Sequence, residues 1–384
     1  MTSSGAVSRM AAAPTSITRH TMQKRPRYRR IVVKIGSNVL TRANGTPDIT
    51  RISSLVDQIA SLHATGAEVI MVSSGAVASG RGLLRGIGRK LDEVSARQIY
   101  SAVGQVRLID RYYDLFGEYG IVCGQILTTK ESLSTRRDYL NQRNCMETML
   151  SCGVIPIVNE NDAISVTELM FTDNDELSGL VAAMMDADLL IILSNIDGIY
   201  DGPPSDPASR IIRRVEPRTD LTRYIDATRS SAGRGGMVTK HRVASRTAAE
   251  GIETVIANGR RDGIITAIAA SPETAVCTRF VPAADPSSTI KRWIASSEGF
   301  AKGAIVINAG AAEAIGRSKG VSILPVGVVG VEGRFEKDDI VRIVTADGTR
   351  IGVGRAACDS AAVERNKGRR GLKPVIHYDY LYIE

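Results

Sequence analysis

Two lysines, several glycine-rich turns and two clusters of acids and amides are the residues of this 384-residue chain best suited to chemistry. Lys34 stands in Val33-Lys34-Ile35-Gly36-Ser37, at the end of an otherwise apolar run. An ammonium there can meet a phosphate while the amides of the Gly-Ser turn cradle its oxygens; a lysine snorkelling at a strand end is the alternative. Ser73-Ser74-Gly75-Ala76 offers a second anion-binding turn and, equally, a helix N-cap. Asn159-Glu160-Asn161-Asp162 sets four polar side chains directly after an apolar run, which folding alone does not explain. Asp173-Asn174-Asp175-Glu176 precedes Leu177, Leu180, Val181 and Met184, and it exceeds what one helix cap needs. Gly233-Arg234-Gly235-Gly236-Met237 opens a helical stretch carrying Lys240, its glycines allowing the backbone close to a ligand.

The patterns that are missing narrow the chemistry. There is no GxxxxGK[ST] phosphate loop, no GxSxG elbow and no HExxH, and Gly80 with Gly82 lacks the rest of a dinucleotide fingerprint. Separated lysines, glycine turns and a few acids or amides suit phosphoryl transfer, where catalysis is positioning and electrostatics. No histidine accompanies them, which suits a carboxylate acceptor. Such a group, with a pKa of about 4.3, is already ionised at neutral pH and needs no general base.

These residues need elements that bring them together. Ile31–Ile35, Glu68–Val72, Ile121–Leu127, Val154–Val158, Leu189–Leu193 and Glu253–Ala257 read as strands. Helical spacing recurs over Ile52–Leu62, Ser95–Glu118, Tyr139–Leu150, Glu176–Met185 and Met237–Ala249. The strands are nearly continuous apolar runs, so the fold expected is α/β: a mainly parallel sheet sandwiched by helices, with ligands beyond the strands' carboxyl ends. After Pro272 the pattern changes, and the stretch around Pro282, Ser287, Ser288 and Trp293 reads as a junction. From Lys302 come short apolar runs, Ala304–Ile307, Val326–Val331, Ile340–Val344, Thr349–Val353 and Pro374–Tyr378, with Asp347-Gly348 as a hairpin signal. That end reads as a small, mostly β domain. The boundaries expected are 1–29 for an extension, 30–296 for the α/β domain and 302–384 for the β domain.

Composition sets the class. Hydrophobic residues make up 43% and charged residues 23%, an ordinary globular balance, and no apolar run reaches membrane-spanning length. A soluble protein without membrane partners is expected. The formal charge of +8 invites a nucleic-acid reading, but between Met1 and Arg30 stand seven Lys or Arg residues and no acid. The excess therefore sits in a tail, read as a dispensable extension ahead of an alternative start at Met22 in preference to an organelle transit peptide. Five cysteines in odd number, without a CxxC pair, point to a reducing compartment, the cytoplasm, and away from disulfides and zinc. The four histidines are scattered, and no metal site of this chain's own side chains is expected.

Taken in order, the motifs resemble the amino acid kinase superfamily and, within it, the glutamate 5-kinase family. The carriers are VVKIGSNVL (Val32–Leu40), VSSGAVASGR (Val72–Arg81), AVGQVRLI (Ala102–Ile109), VNEND (Val158–Asp162), TDNDELS (Thr172–Ser178), ADLLIILSNIDGIY (Ala187–Tyr200) and GRGGMVTK (Gly233–Lys240). Sister kinases share single motifs; VNEND followed by TDNDELS and GGMVTK points to glutamate. From Lys302 the chain is similar to a PUA domain. The resemblance implies ATP, with Mg2+ carried on the nucleotide, and L-glutamate as acceptor, in the first step of proline biosynthesis. It implies that Lys34 and Lys240 stabilise the transferring phosphoryl group and that Asp175 holds those lysines. Ser74, Asp162 and Asn174 would bind glutamate. Lys34, Ser194, Asn195 and the turn Arg234, Gly235, Gly236, Met237, Val238, Thr239 and Lys240 would bind ATP. It further implies inhibition by proline, a homo-oligomer and a functional link to glutamyl phosphate reductase.

Three departures stand out: Ser194-Asn195 where the family commonly has Thr-Asp, Arg234 in place of a small residue, and an aromatic end, His377-Tyr-Asp-Tyr-Leu-Tyr. Arg234 is read either as a phosphate contact or as a solvated arginine, paired with an acid such as Asp197 or Asp201. The rival functions are a sister kinase with another acceptor and an RNA-binding protein acting through the PUA-like end. Thirteen basic against ten acidic residues from Lys302 to Glu384 make a thin electrostatic footprint for RNA.

Overall fold

A computed structural model describes residues 26–84, 91–130, 133, 136–164, 173–217, 219–225, 236–284, 294, 301–317 and 320–383. The basic extension up to residue 25, the junction around Trp293, and Arg234 with Gly235 lie outside the described residues.

The apolar runs form the expected strands: β1 (Arg30–Ile35), β2 (Glu68–Ser73), β3 (Cys123–Thr128), β4 (Ile155–Glu160) and β5 (Leu189–Ser194), then β6 (Arg214–Val215), β7 (Glu253–Asn258) and β8 (Cys277–Phe280). They make one eight-stranded sheet in the order β3-β4-β2-β1-β5-β7-β8-β6. From β3 to β7 every pairing is parallel, while β8 runs antiparallel to β7. Two short strands, β6 and β8, depart from the six-strand expectation. They extend the sheet through four residues or fewer, too short to carry a period of their own. Because β2 and β5 flank β1, the chain reverses its direction of winding at β1, and a crevice opens beyond the carboxyl ends there.

Two helical layers cover the sheet. α2 (Ile49–Ala64), α4 (Glu93–Gly117) and α9 (Ile264–Ala270) cover one face, on which Ile31, Val33 and Ile35 are buried with Leu108, Tyr112 and Ile265. α5 (Arg136–Ser151), α6 (Asn174–Met184) and α8 (Met237–Ala249) cover the other, where Val32, Ile70 and Ile192 meet Met146, Val181 and Val243. Alternation along a strand then places Lys34 on the face of Val32, under α6 and α8. The short helices α1 (Ser37–Leu40), α3 (Ala76–Leu83) and α7 (Thr222–Ile225) complete this part. Asp92 caps α4 by accepting from the Ser95 amide, and Asp48 caps α2 through the Arg51 amide.

α3 crosses α4 with the two backbones in contact. A Cβ at Gly104 would stand 1.8 Å from the carbonyl oxygen of Ala76, and one at Gly80 1.8 Å from that of Tyr100. The glycine that resembled a broken dinucleotide fingerprint is thus a crossing point of two helices. Order also reaches back before Arg30. Tyr28 is buried and donates to Glu253 at 2.9 Å, Arg27 pairs with Glu273 at 2.6 Å, and Arg30 is buried between Glu68 and Glu147. Part of the basic segment therefore belongs to the folded body.

The remaining strands, β9 (Gly303–Ile307), β10 (Val328–Gly333), β11 (Ile340–Thr345), β12 (Arg350–Arg355) and β13 (Leu381–Ile383), make a second sheet ordered β10-β9-β11-β12-β13. The hairpin expected at Asp347-Gly348 joins β11 to β12, with Gly348 at φ 83°. Pro374–Tyr378 is not a strand of this sheet: Ile376 makes an isolated bridge to Ile323, and the last pairing falls to β13. The aromatic end follows a short 3-10 turn into that edge strand, with the Arg355 guanidinium 3.6 Å from the Tyr380 ring. Two helices not expected there, Ala309–Arg317 and Ser360–Asn366, flank the sheet. Each buries a single large apolar residue, Ile315 or Val363, too little to mark a period.

Candidate active site

At the crevice beyond β1 opens a cavity of about 970 Å³. Its floor is an ion-pair triad. Asp175, in the first turn of α6, is 1% exposed and lies between two ammonium groups. Lys34 Nζ is 2.5 Å from Oδ1 and Lys240 Nζ 2.9 Å from Oδ2. Lys34 comes from the carboxyl end of β1 and Lys240 from the first turn of α8. The approach of α6 to α8 joins them, at a point where Gly179 leaves no room for a side chain beside Val243. Burial alone would push the Asp175 carboxyl up, but the two ammonium groups outweigh it and hold the group below its ordinary value.

A line of amides forms one wall. Asn174 Nδ2 donates to Ser74 Oγ at 2.8 Å and to Asn159 Oδ1 at 3.0 Å, and Asn159 donates in turn to Gln105 Oε1 at 2.8 Å. Ser74 owes its place to Gly75, whose φ of 102° turns the chain sharply from β2 into α3. Beneath it, Ser73 Oγ and the buried Tyr112 hydroxyl share a hydrogen bond of 2.8 Å. Glu160, the last residue of β4, and Asp162 just beyond it are both buried and face Arg97 of α4, which is bonded to Asp162 and lies 3.7 Å from Glu160. Asp173 caps α6, accepting from the amides of Asp175 and Glu176 at 2.9 and 3.1 Å. Burial first, and then the charge of Asp175, push its carboxyl up to about 6.

The expected site residues therefore converge. Lys34, Lys240, Asp175, Ser74, Asp162, Asn174, Ser194, Asn195, Gly236 and Met237 all line this cavity. Val238 is exposed and Thr239 buried, and neither lines it. Arg234 and Gly235 lie outside the described residues. Of the acids considered as partners for Arg234, Asp197 is held by Arg261 at 2.6 Å, and Asp201 accepts from the Arg210 amide at 2.7 Å. The cavity wall also includes Pro203, Pro204 and Ser205, which carry no chemistry a sequence pattern would flag.

Sequence reasoning missed Arg97 and Gln105, and it saw Glu160 and Asp173 only as members of polar clusters. A signal was present: Arg97, Ser101 and Gln105 recur every fourth residue, a polar stripe along one face of α4, and Ser101 and Gln105 are buried. Among the described residues no group of three His, Cys, Asp or Glu side chains converges as metal ligands do, and no helix is long and apolar enough to cross a membrane. The five cysteines are free, with Cys123 and Cys277 buried.

Comparison with known proteins identifies the family. The amino acid kinase family model matches residues 29–258 and the PUA domain model residues 303–378. Glutamate 5-kinase of Bacteroides thetaiotaomicron is 61% identical over 93% of this chain and 99% of its own length. Those of Chlorobaculum tepidum and Trichlorobacter lovleyi are 47% and 41% identical, over 93% and 92% of this chain and 98% and 93% of their own lengths. The chain with Lys34, Asp175 and Lys240 at the floor of its cavity thus belongs to the amino acid kinase family, within it to the glutamate 5-kinases, and carries a PUA domain behind its kinase fold.

Proposed function

We propose that this protein transfers the γ-phosphoryl group of ATP to the side-chain carboxylate of L-glutamate, giving L-glutamyl 5-phosphate and ADP. The observation that carries the reading is the buried triad: two ammonium groups fixed on one carboxylate at the floor of a cavity at the sheet's switch point. A carboxylate oxygen of glutamate attacks the γ-phosphorus. A new O–P bond forms as the bond to the β-phosphate oxygen breaks, and no proton moves. Lys34 and Lys240 meet the charge on the transferring group, in a site where fixed donors need no reorganisation. An ammonium carries three donors, and one contact with Asp175 does not exhaust them. Asp175 keeps both lysines aimed.

Ser74, Asn174 and Asp162 form the acceptor end, with amides for the carboxylates and an acid for the ammonium. Ser194, Asn195, Gly236 and Met237 form the nucleotide end, with Arg234, Gly235, Val238 and Thr239 as the rest of the family turn. A magnesium ion held mainly by the nucleotide's own phosphates, as that ion usually is, fits a cavity that also carries the carboxylates of Glu160, Asp162 and Asp173. When bound it would neutralise charge on the β- and γ-phosphates.

The setting proposed is the first step of proline biosynthesis in the cytoplasm. Proline, which shares the ammonium and α-carboxylate of glutamate, would compete at the acceptor end. A homo-oligomer, and delivery of the unstable acyl phosphate to glutamyl phosphate reductase, complete the proposal. Purified protein with ATP, magnesium and a panel of amino acids, trapped with hydroxylamine, should yield hydroxamate from glutamate above all others. Hydroxamate formed from aspartate or N-acetylglutamate in preference would overturn the choice of acceptor.

A further inference from the structure

Glutamate brings three charges to its site, and the charged groups described so far meet only two of them. The side-chain carboxylate goes to the lysine end and the ammonium to Asp162. The α-carboxylate still needs a cation. Lys34 and Lys240 are fixed on Asp175 at the phosphoryl end and are poorly placed to serve it. Among the described residues lining the cavity, the other cations are Arg81 and Arg97. Arg81 is exposed, its guanidinium 5.7 Å from the Tyr100 ring. Arg97 is aimed inward: its side chain keeps 24% of its surface, bonded to Asp162 and 3.7 Å from Glu160.

The placing of Arg97 is a property of α4. One and two turns further along the same stripe, Ser101 and Gln105 are buried, and Gln105 accepts from Asn159 in the amide line that also holds Asn174 and Ser74. The crossing of α3 and α4 at Gly80 and Gly104 locks that stripe against the site. Arg97 and Asp162 thus face the same end of the cavity, opposite in charge and already in contact.

We propose that Arg97 is a specificity-determining residue that binds the α-carboxylate of the acceptor, exchanging its ion pair with Asp162 for one with the substrate as Asp162 takes the substrate ammonium. This inference rests on the amino-acid reading of the site given above. In the exchange every charge stays paired: Arg97 with Asp162 before binding, then Arg97 with carboxylate and Asp162 with ammonium. The guanidinium is suited to the task because its fork donates to both oxygens of a carboxylate in parallel, which a lysine's point charge does not. The consequence is selectivity for free amino acids. A glutamyl residue at the N-terminus of a peptide, whose α-carboxylate is lost to the peptide bond, presents the same ammonium and side chain but leaves Arg97 without an anion. It is rejected for that reason.

The test pairs glutamate with glutamic acid α-amide, in which only the α-carboxylate is neutralised, on wild type, Arg97→Met and Arg97→Lys. Arg97→Met should raise the KM for glutamate at least tenfold, leave that for the α-amide within twofold, and leave the KM for ATP unchanged. Arg97→Lys should fall between, keeping the charge without the fork. Calorimetric titration of both amino acids without ATP reads the same contrast with no turnover. Binding of glutamate without acyl phosphate formation would therefore count against the reaction and not against Arg97. Equal losses on glutamate and the α-amide would make Arg97 a mere support of Asp162 and overturn the proposal, as would no loss on either. If Arg97→Met does not fold, Arg97→Lys decides by the same contrast. A wild-type protein that binds neither compound would overturn both readings.

Discussion

Asp175→Asn is the sharpest test of the triad, because it keeps the shape of the side chain and removes only the charge. The substitution replaces the carboxylate shared by Lys34 and Lys240, at 5% and 12% side-chain exposure, with a neutral amide. Removing one partner of a buried ion pair costs about 3–5 kcal/mol. Water can reach part of Lys240, which favours the lower end, about 3 kcal/mol. The catalytic loss should be larger in relative terms. Both ammonium groups lose the carboxylate that aims them, and kcat should fall at least ~100-fold, the scale of losing one fixed donor to transition-state charge. Urea unfolding followed by circular dichroism measures the first quantity and the hydroxamate assay the second. Adding Lys34→Met to Asp175→Asn removes the more deeply buried of the two ammonium groups and should recover part of the stability without recovering activity. The pH dependence has a definite sign. The folded Asp175 carboxyl lies below its ordinary 3.8, so its stabilising contribution is complete above that value and is lost as pH falls through the folded one. Wild type and Asp175→Asn should therefore converge in stability on acidification. A single variant within about 1 kcal/mol of wild type, with kcat within threefold, would refute the reasoning.

Three further outcomes are expected. Asn174→Ala cuts the amide line at Ser74 and Asn159 and should raise the KM for glutamate with the KM for ATP little changed; a matching rise for ATP would move Asn174 out of the acceptor end. Asp173→Asn keeps an oxygen for the amides of Asp175 and Glu176 but removes a carboxylate that burial and Asp175 push up to about 6. A raised folded pKa makes the wild type lose stability as pH rises from about 4 to 6, so the variant should gain about 2 kcal/mol at pH 7.5 and little at pH 4; urea unfolding showing a gain that grows on acidification would contradict this. Gly104→Ala forces a Cβ to 1.8 Å from a backbone oxygen and should cost about 3 kcal/mol or more, or prevent folding. Gly117→Ala at the exposed end of the same helix, with nothing within 4 Å, should stay within about 1 kcal/mol of wild type, both variants being measured by urea unfolding.

Local patterns determined a good deal of this protein. The six parallel strands were legible because a strand covered on both faces must be apolar at nearly every position, and the hairpin at Asp347-Gly348 because a tight turn there needs a positive φ. Polar clusters at the end of β4 and the start of α6 were visible as candidate sites because each exceeds what capping consumes. The short β6 and β8 and the two helices of the second domain were not legible, since segments of that length carry too few apolar residues to define a period.

What sequence spacing could not decide is which distant residues meet. The order β2-β1-β5 is a fact of tertiary pairing, and it alone makes the end of β1 a switch point and a cavity. Lys34, Asp175 and Lys240 come from three separate elements, and only the convergence of β1, α6 and α8 turns three ordinary residues into a buried triad. The family resemblance pointed to that triad, but neither the upward push on Asp173 nor the aim of Arg97 at Asp162 was implied by it. Both depend on burial and on charges brought close by the fold. Periodicity reports which face of an element is buried; it carries no record of what lies against that face. The chemistry of the site is made there, where low dielectric and fixed neighbours set the charge and direction of each group.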